Sequence, residues 1–142
     1  MYNSILLTVD LSDPASWQRA MPEAVKTCQT TGAKLHVLAV IPTFGMPLVE
    51  GFFPDDFQKN AMAKTKTELA ALLKAEVPSS VTTEAHTRYG KVHEEILTAI
   101  KTMGIDLVVM ASPPPDRLRD FLVGSNADRV VRRSTVSILV VR

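Results

Sequence analysis

Several features that would quickly narrow the function of this chain are scarce or missing. Among its 142 residues there is one cysteine, Cys28, so no internal disulfide can form, and no metal-ligand spacing surrounds it. The net charge is only +1, which predicts neither a nucleic acid nor a membrane surface as a partner. No apolar run is long enough for a membrane span, and the first residues lack the pattern of a signal peptide. We therefore expect a cytoplasmic protein.

The familiar signatures of catalysis are also missing from the sequence. We find no Walker lysine motif, no cluster with metal-ligand spacing and no Ser-His-Asp arrangement. His93 has no nucleophile at a predictable distance, so we do not assign it the role of a base. His36 falls inside a predicted strand and is interpreted as an ordinary core or edge histidine rather than a ligand. The sequence therefore predicts a protein that is not an enzyme and has no metal ligands.

What the chain does have is a regular alternation of short apolar strands and amphipathic helices. The predicted order is strand 4–9, helix 12–31, strand 34–41, helix 55–77, strand 81–89, helix 93–103, strand 107–111, helix 125–133 and strand 136–141. Such alternation is typical of a parallel sheet with right-handed crossovers. We predict a single α/β domain over residues 1–142, an open five-stranded parallel sheet of order 3-2-1-4-5 with helices on both faces.

Two residues should affect the shape and the end of the first of these helices. Pro22 lies inside the predicted helix 12–31 and is expected to kink it, because proline removes a helical hydrogen bond and crowds the preceding turn. Gly32 follows the helix and is expected to end it, because glycine readily adopts the left-handed conformation of a helix C-terminus.

The most informative stretch is residues 105–126. Leu107–Ala111 is apolar without alternation, which predicts a strand buried on both faces. Ser112 and three prolines then lead the chain out of the sheet, and Gly124-Ser125-Asn126 begins a helix. Open α/β sheets bind ligands where loops leave the carboxyl ends of their strands, and helix N-termini attract phosphate.

The predicted topology places candidate ligand contacts from several elements along this one edge. These residues are Thr8, Val9, Asp10, Val40, Met110, Ala111, Ser112, Gly124, Ser125 and Asn126. Two of them have alternative roles that the sequence leaves open. Asp10 is also suited to capping its own turn with Ser12, and Ser125 to capping a helix without a ligand. Arg117 and Arg119 are interpreted as solvated charges.

Two apolar segments should be covered by something. The loop over residues 42–54 mixes proline and glycine with Phe and Met, and we expect it to lie against the domain, a partner or a ligand. The last strand, 136–141, is apolar and falls at a sheet edge in the predicted order. An apolar edge invites pairing with a second copy, so we expect a homodimer whose interface includes Val136, Ile138 and Val140 or their alternates.

Four segments together resemble the universal stress protein family over the whole chain. They are the opening ILLTVDLSD, the turn from Gly90 to Ile96, the terminal SILVVR and the stretch after the fourth strand. The family's nucleotide-binding signature is Gly, two residues, Gly, nine residues, Gly and Ser or Thr. In this chain that spacing falls on Ala111, Pro114, Gly124 and Ser125. It is similar to the branch in which alanine replaces the first glycine and the loop carries proline.

The resemblance implies an adenine nucleotide alpha hydrolase-like fold and an ATP-binding protein with a regulatory or sensing role in stress response. It implies ATP, ADP or AMP as the ligand, with Mg²⁺ as an accompanying ion, a homodimer through the C-terminal strand and an unidentified regulatory protein partner. Pro113 and Pro114 support an alternative, because neither can donate an N–H to a phosphate. In that alternative the chain is a dimeric interaction module with a decayed nucleotide site. A slow ATPase or adenylate-transferring enzyme is a third hypothesis.

Overall fold

The computed structural model describes residues 1–43, 56–112 and 125–142, and its sheet has the predicted topology. Five strands of the described chain lie parallel in the order β3-β2-β1-β4-β5. The strands are β1 Ser4–Val9, β2 Lys34–Pro42, β3 Thr83–Gly90, β4 Leu107–Ala111 and β5 Ser137–Val141. The helices are α1 Ala20–Thr31, α2 Phe57–Glu76, α3 Val92–Thr102 and α4 Ser125–Arg133. Within the described residues, no helix is long and apolar enough to cross a membrane.

The core has two layers because successive residues of a strand face opposite sides of the sheet. On one face, Ile5 and Leu7 of β1 pack in a cluster that includes residues of α1 and α2. On the other face, Leu6 packs with Leu38 and with Ile96 of α3. The buried positions of β1 and β4 are therefore apolar, as helices on both faces require, whereas β2 has one buried polar residue, His36.

The first helix differs from the prediction at its start. Residues 14–16 form a separate short turn of 3₁₀ helix, in which Asp13 Oδ1 accepts from the Ala15 N–H at 3.0 Å. The α-helix begins only at Ala20. Pro22 therefore lies in the first turn, where a backbone N–H has no helical acceptor and proline is tolerated. The prediction of one helix over 12–31 with a kink at Pro22 is therefore wrong, because the α-helix starts only two residues before this proline.

The end of α1 is as predicted. Gly32 has φ +75°, and its N–H donates to the Cys28 carbonyl at 2.8 Å. This left-handed cap turns the chain directly into β2, which begins at Lys34.

The amino end of the sheet is held together by a carboxylate. Asp106 precedes β4, and its Oδ2 accepts from the Asn3 N–H at 2.8 Å while its Oδ1 accepts from the Ser4 N–H at 3.1 Å. Its own N–H donates to the Ser4 carbonyl at 2.9 Å. On the other side of β1, the Lys34 N–H donates to the Asn3 carbonyl. The start of β1 is thus bonded to both neighbouring strands.

The predicted edge position of the last strand is confirmed, since β5 pairs with β4 and lies at the end of the strand order. Ile138 packs against the core beneath α3 and α4, and Val141 packs against the opposite cluster. Leu139 is the large apolar side chain of β5 that remains open, with 38% of its surface exposed. The apolar loop predicted over 42–54 lies outside the described residues from position 44 onward.

Candidate functional site

A cavity of about 370 Å³ opens at the carboxyl end of the sheet, beside the central strands β1 and β4. The strand order reverses between these two strands, with β2 and β3 on one side and β5 on the other. The chain that follows β1 and the first turns of α3 and α4 surround the cavity. Its lining consists of Thr8, Val9, Asp10, Ser12, Asp13, Ala15, Ser16, Leu38, Val40, Pro42, Val92, Ile96, Met110, Ala111, Ser125, Asn126 and Ala127. The volume lies in the range of about 300–1,000 Å³ that is typical of small-molecule sites.

Most of the candidate residues meet in this cavity. Those that line it are Thr8, Val9, Asp10, Val40, Met110, Ala111, Ser125 and Asn126. Ser112 does not line the cavity: it is 3% exposed, and its N–H donates to the Val141 carbonyl at 2.8 Å, which extends the pairing of β4 with β5. Gly124 lies outside the described residues, as do Arg117 and Arg119.

Side-chain hydrogen bonds link residues of the loop after β1 to one another. Asp10 Oδ1 accepts from the Ser12 N–H at 3.0 Å and from Ser12 Oγ at 2.6 Å. Ser16 Oγ accepts from the Asp10 N–H at 2.8 Å and donates to the Asp10 carbonyl at 2.9 Å. Asp10 therefore caps its turn with Ser12 and also lines the cavity, exposed to solvent. The two roles that the sequence leaves open are compatible in one geometry.

The start of α4 brings the positive end of a helix dipole to the cavity. Ser125, Asn126 and Ala127 form its first turn, whose backbone N–H groups have no carbonyl partner within the helix. These groups favour an anion in front of them. Asp128, in the same turn, accepts from Arg132 Nε at 3.0 and 3.1 Å, so its negative charge is balanced by a neighbour.

Apolar side chains form the wall between these two polar regions. Leu38 and Val40 come from β2, Met110 from β4, and Val92 and Ile96 from α3. A flat apolar group can therefore lie between the hydrogen-bonding loop after β1 and the N-terminus of α4. The cavity fits a ligand with an apolar ring system, polar edges and an anionic group.

Sequence reasoning missed several residues of the lining. Ser12, Asp13, Ala15 and Ser16 belong to the loop after β1, which we predict as part of a helix. Open α/β sheets bind ligands at the loops that leave the carboxyl ends of their strands. Using this rule for the loop after β1, as for the loop after β4, would have added these residues to the candidate site. Leu38, Pro42, Val92, Ile96 and Ala127 are apolar, and no polar signal in the sequence distinguishes them from core residues.

His93 lies outside the lining of this cavity. It is buried on α3, and its Nδ1 is 3.5 Å from Nη1 of Arg129 on α4. The geometry places it at the contact between the two helices, not among the groups that a ligand in the cavity would touch.

Comparison with known proteins decides the family. The model of the universal stress protein family matches residues 1–142, the whole chain. The chain belongs to the universal stress protein family. Among curated members, universal stress protein G of Salmonella typhimurium is 30% identical over 146 residues, and the match covers all of both chains.

Solved structures of universal stress proteins share the fold. UspA from Lactobacillus plantarum has a TM-score of 0.71 at 24% identity, with 99% of this chain and 98% of that one covered. A universal stress protein in complex with cAMP has a TM-score of 0.63 at 20% identity, covering 99% and 97%. The Archaeoglobus fulgidus protein in complex with dAMP has a TM-score of 0.64 at 17% identity, covering 99% and 98%. The fold is adenine nucleotide alpha hydrolase-like, as the resemblance implies.

Proposed function

We propose that this universal stress protein binds an adenine nucleotide, ATP in the first instance, and acts as a regulator or sensor. The observation that carries the proposal is the cavity, which joins a hydrogen-bonding loop, an apolar wall and a helix N-terminus in one space of about 370 Å³. The complexes of two structural relatives with cAMP and dAMP support an adenine nucleotide as the ligand class.

The chemistry of the ligand matches the three regions of the cavity. An adenine ring offers a flat apolar face for Val40 and Met110, and the ribose hydroxyls and the amino group of adenine are donors suited to the Asp10 carboxylate. Phosphates suit the first turn of α4, with Ser125 supplying a hydroxyl and backbone N–H groups. Mg²⁺ would accompany the nucleotide through its phosphate oxygens, as is usual for this ion.

The proposal is tested by calorimetric titration of the intact protein with ATP, ADP and AMP. Val40→Trp should fill the cavity and weaken binding at least about tenfold, a loss of ~1.4 kcal/mol. Val131→Trp is the matched control, because Val131 is 47% exposed on α4 and does not line the cavity. Equal affinities in the two variants would place the nucleotide elsewhere. No binding by the native protein would favour the dimeric interaction module with a decayed site.

We also propose that the protein does not turn ATP over beyond a slow background. Phosphoryl transfer needs a positioned base or a water-orienting group. Within the described residues His93 lies outside the cavity lining. The carboxylates of Asp10 and Asp13 do line the cavity, but their Oδ1 atoms accept hydrogen bonds from their own loop. Steady hydrolysis of many ATP equivalents by purified protein, lost in Val40→Trp, would show that the cavity is an active site.

The second part of the proposal is a homodimer through β5. The outer side of an edge strand carries backbone N–H and C=O groups without strand partners, and Ser137–Val141 contains neither lysine nor proline to block pairing. Val136 and Ile138 pack against their own core, so exposure favours the alternate face and in particular Leu139. Antiparallel pairing of two β5 strands about a twofold axis would close the sheet edge.

Sedimentation of the native protein at micromolar concentration tests this assembly. Leu139→Lys should give a folded monomer, whereas Val131→Lys, which changes an exposed valine on α4, should stay dimeric. A native monomer at these concentrations would refute the dimer, and a dimer that survives Leu139→Lys would move the interface away from this face of β5.

A further inference from the structure

Two histidines and a glutamate meet on a face of the sheet, at its β3 edge. The register of β2 with β3 sets His36 opposite Glu84 and Leu38 opposite His86. Because alternate residues share a face, the side chains of His36, Glu84 and His86 all project from the same side. One ligand atom from each of the three lies within 4.8 Å of the other two. None of the three lines the cavity described above.

The two imidazoles are already in close contact. His36 Nδ1 lies 3.0 Å from His86 Nε2, and the rings stack with centroids 5.2 Å apart and an interplanar angle of 20°. Glu84 Oε1 lies 3.8 Å from the same His86 nitrogen. The two facing imidazole nitrogens and the carboxylate oxygen therefore lie close together.

These separations are close to those of a metal site. Ligands about 2.0–2.1 Å from a tetrahedral ion lie roughly 3.3 Å from one another, and the observed 3.0 and 3.8 Å fall on either side of that value. A small rotation of Glu84, which is half-exposed, would bring its oxygen to coordination distance. The ion would take the place of the hydrogen bond between the two imidazoles.

The ionisation states suit a cation. Burial is the main cause that lowers the pKa of His36 and of His86, although the Glu84 carboxylate acts in the opposite direction on both, and a neutral imidazole has a lone pair available. A hydrogen bond and the charge of Lys34 lower the pKa of Glu84, which keeps that carboxylate ionised. Lys34 contacts Oε2 of Glu84, whereas Oε1 is the oxygen that lies near His86.

We propose that His36, Glu84 and His86 form a binding site for a divalent transition-metal ion, with Zn²⁺ as the representative ion. Imidazole and carboxylate are the ligand types that Zn²⁺ accepts, and a site with three protein ligands leaves one position for water. His86 and Glu84 have side chains that are 13% and 48% exposed, so an ion can enter from solvent. The bound ion would join the edge strand β3 to β2. As a metal ligand, His36 would differ from its interpretation as an ordinary core or edge histidine.

The test uses tag-free, chelator-treated full-length protein titrated calorimetrically with Zn²⁺. We expect one Zn²⁺ per chain, with affinity at least about tenfold weaker in His86→Asn and in Glu84→Gln, since even residues that only support a metal ligand matter by that factor. The matched controls are His93→Asn and Glu94→Gln, which remove the same chemical groups from α3. Both controls should bind like the native protein.

A second measurement avoids mutation. In the native protein, Zn²⁺ should shift or broaden the imidazole NMR signals of His36 and His86 at one equivalent and leave those of His93 unchanged. Sub-stoichiometric or weak binding that is the same in His86→Asn and His93→Asn would reduce the effect to adventitious surface binding and overturn the proposal. Perturbation of His93 alone would overturn it too.

Discussion

The two ends of this sheet have opposite characters. At the carboxyl end, the chain after β1 and the first turn of α4 surround an open cavity, and Asp10 is exposed there. At the amino end, the Asp106 carboxylate accepts hydrogen bonds from the start of β1. Gly32 and Gly104, with φ of +75° and +63°, each turn the chain from the end of a helix toward the next strand. One end is open to solvent through the cavity, whereas the other is closed by hydrogen bonds.

The difference follows from how a parallel sheet is connected. Every helix that follows a strand starts at the carboxyl end, so helix N-termini with unpaired N–H groups collect there. The same helices finish at the amino end, where left-handed glycines and C-terminal caps satisfy the last carbonyls. Substitutions at the amino end should therefore change stability, whereas those at the carboxyl end should change the affinity for the nucleotide that we propose as ligand.

The largest expected contrast is in thiol reactivity. Cys28, near the end of α1, is 2% exposed, and burial raises its pKa from 9.0 to about 11. Two units correspond to roughly 100-fold less thiolate at neutral pH, so a thiol reagent should modify the native protein at least that much more slowly than the unfolded chain. In a Cys28→Ala background, Val40→Cys should react readily, and ATP should protect it. Fast labelling of native Cys28 would contradict a closed amino end.

Removing the carboxylate that closes the amino end should have the next largest effect. Asp106→Ala deletes the acceptors for the Asn3 and Ser4 N–H groups and should lower the free energy of unfolding by about 2 kcal/mol. Denaturant unfolding measures this loss, and ATP affinity should change less than about twofold. Asp106→Asn keeps one acceptor, so its free energy of unfolding should lie between those of the native protein and Asp106→Ala. A large loss of affinity in Asp106→Ala would mean that the two ends are coupled.

At the carboxyl end, Asp10→Ala should show the reverse pattern. Loss of a charged hydrogen-bond acceptor from the cavity should weaken ATP binding about tenfold. The bonds that Asp10 Oδ1 makes to Ser12 are exposed, so the free energy of unfolding should fall by less than about 1 kcal/mol. Titration calorimetry and denaturant unfolding on the same preparation separate the two effects. Unaltered affinity would restrict Asp10 to its turn-capping role.

The smallest expected effect comes from Gly32→Ala. An alanine at φ +75° adopts the left-handed conformation at a cost of about 1 kcal/mol, although a Cβ there meets no atom within 4 Å. Asparagine adopts the left-handed conformation more readily than alanine, so Gly32→Asn should lose less stability than Gly32→Ala. Thermal unfolding measures the difference, and equal losses in both variants would point to a cause other than backbone conformation.

Some parts of the structure could be predicted because the signal is local and repeated. The continuous apolar runs in β1 and β4 require cover on both faces, and their alternation with helices leads to the parallel sheet. The left-handed stop at Gly32 and the start of α4 at Ser125 follow from single-residue conformational preferences.

Other parts were misjudged because competing local signals have similar strength. Ser12-Asp13-Pro14 resembles the start of an α-helix. It does begin a helical segment, but this segment is a short 3₁₀ turn that ends at Ser16, and α1 begins only at Ala20. The hydrogen bonds between Asp10 and Ser16 hold this turn in the cavity wall. Nothing in the local pattern indicates whether that turn continues as an α-helix.

By itself, the sequence determined the α/β class, the strand order, the family and the edge of the sheet at which the cavity opens, because each depends on periodicity or on motifs read along the chain. Only the tertiary structure decided which apolar residues line the cavity and that His36 meets Glu84 and His86. Those three residues come from strands about 50 positions apart, and a shift of one residue in register would send one strand's side chains to the opposite face. Such contacts exist only once the strands have paired.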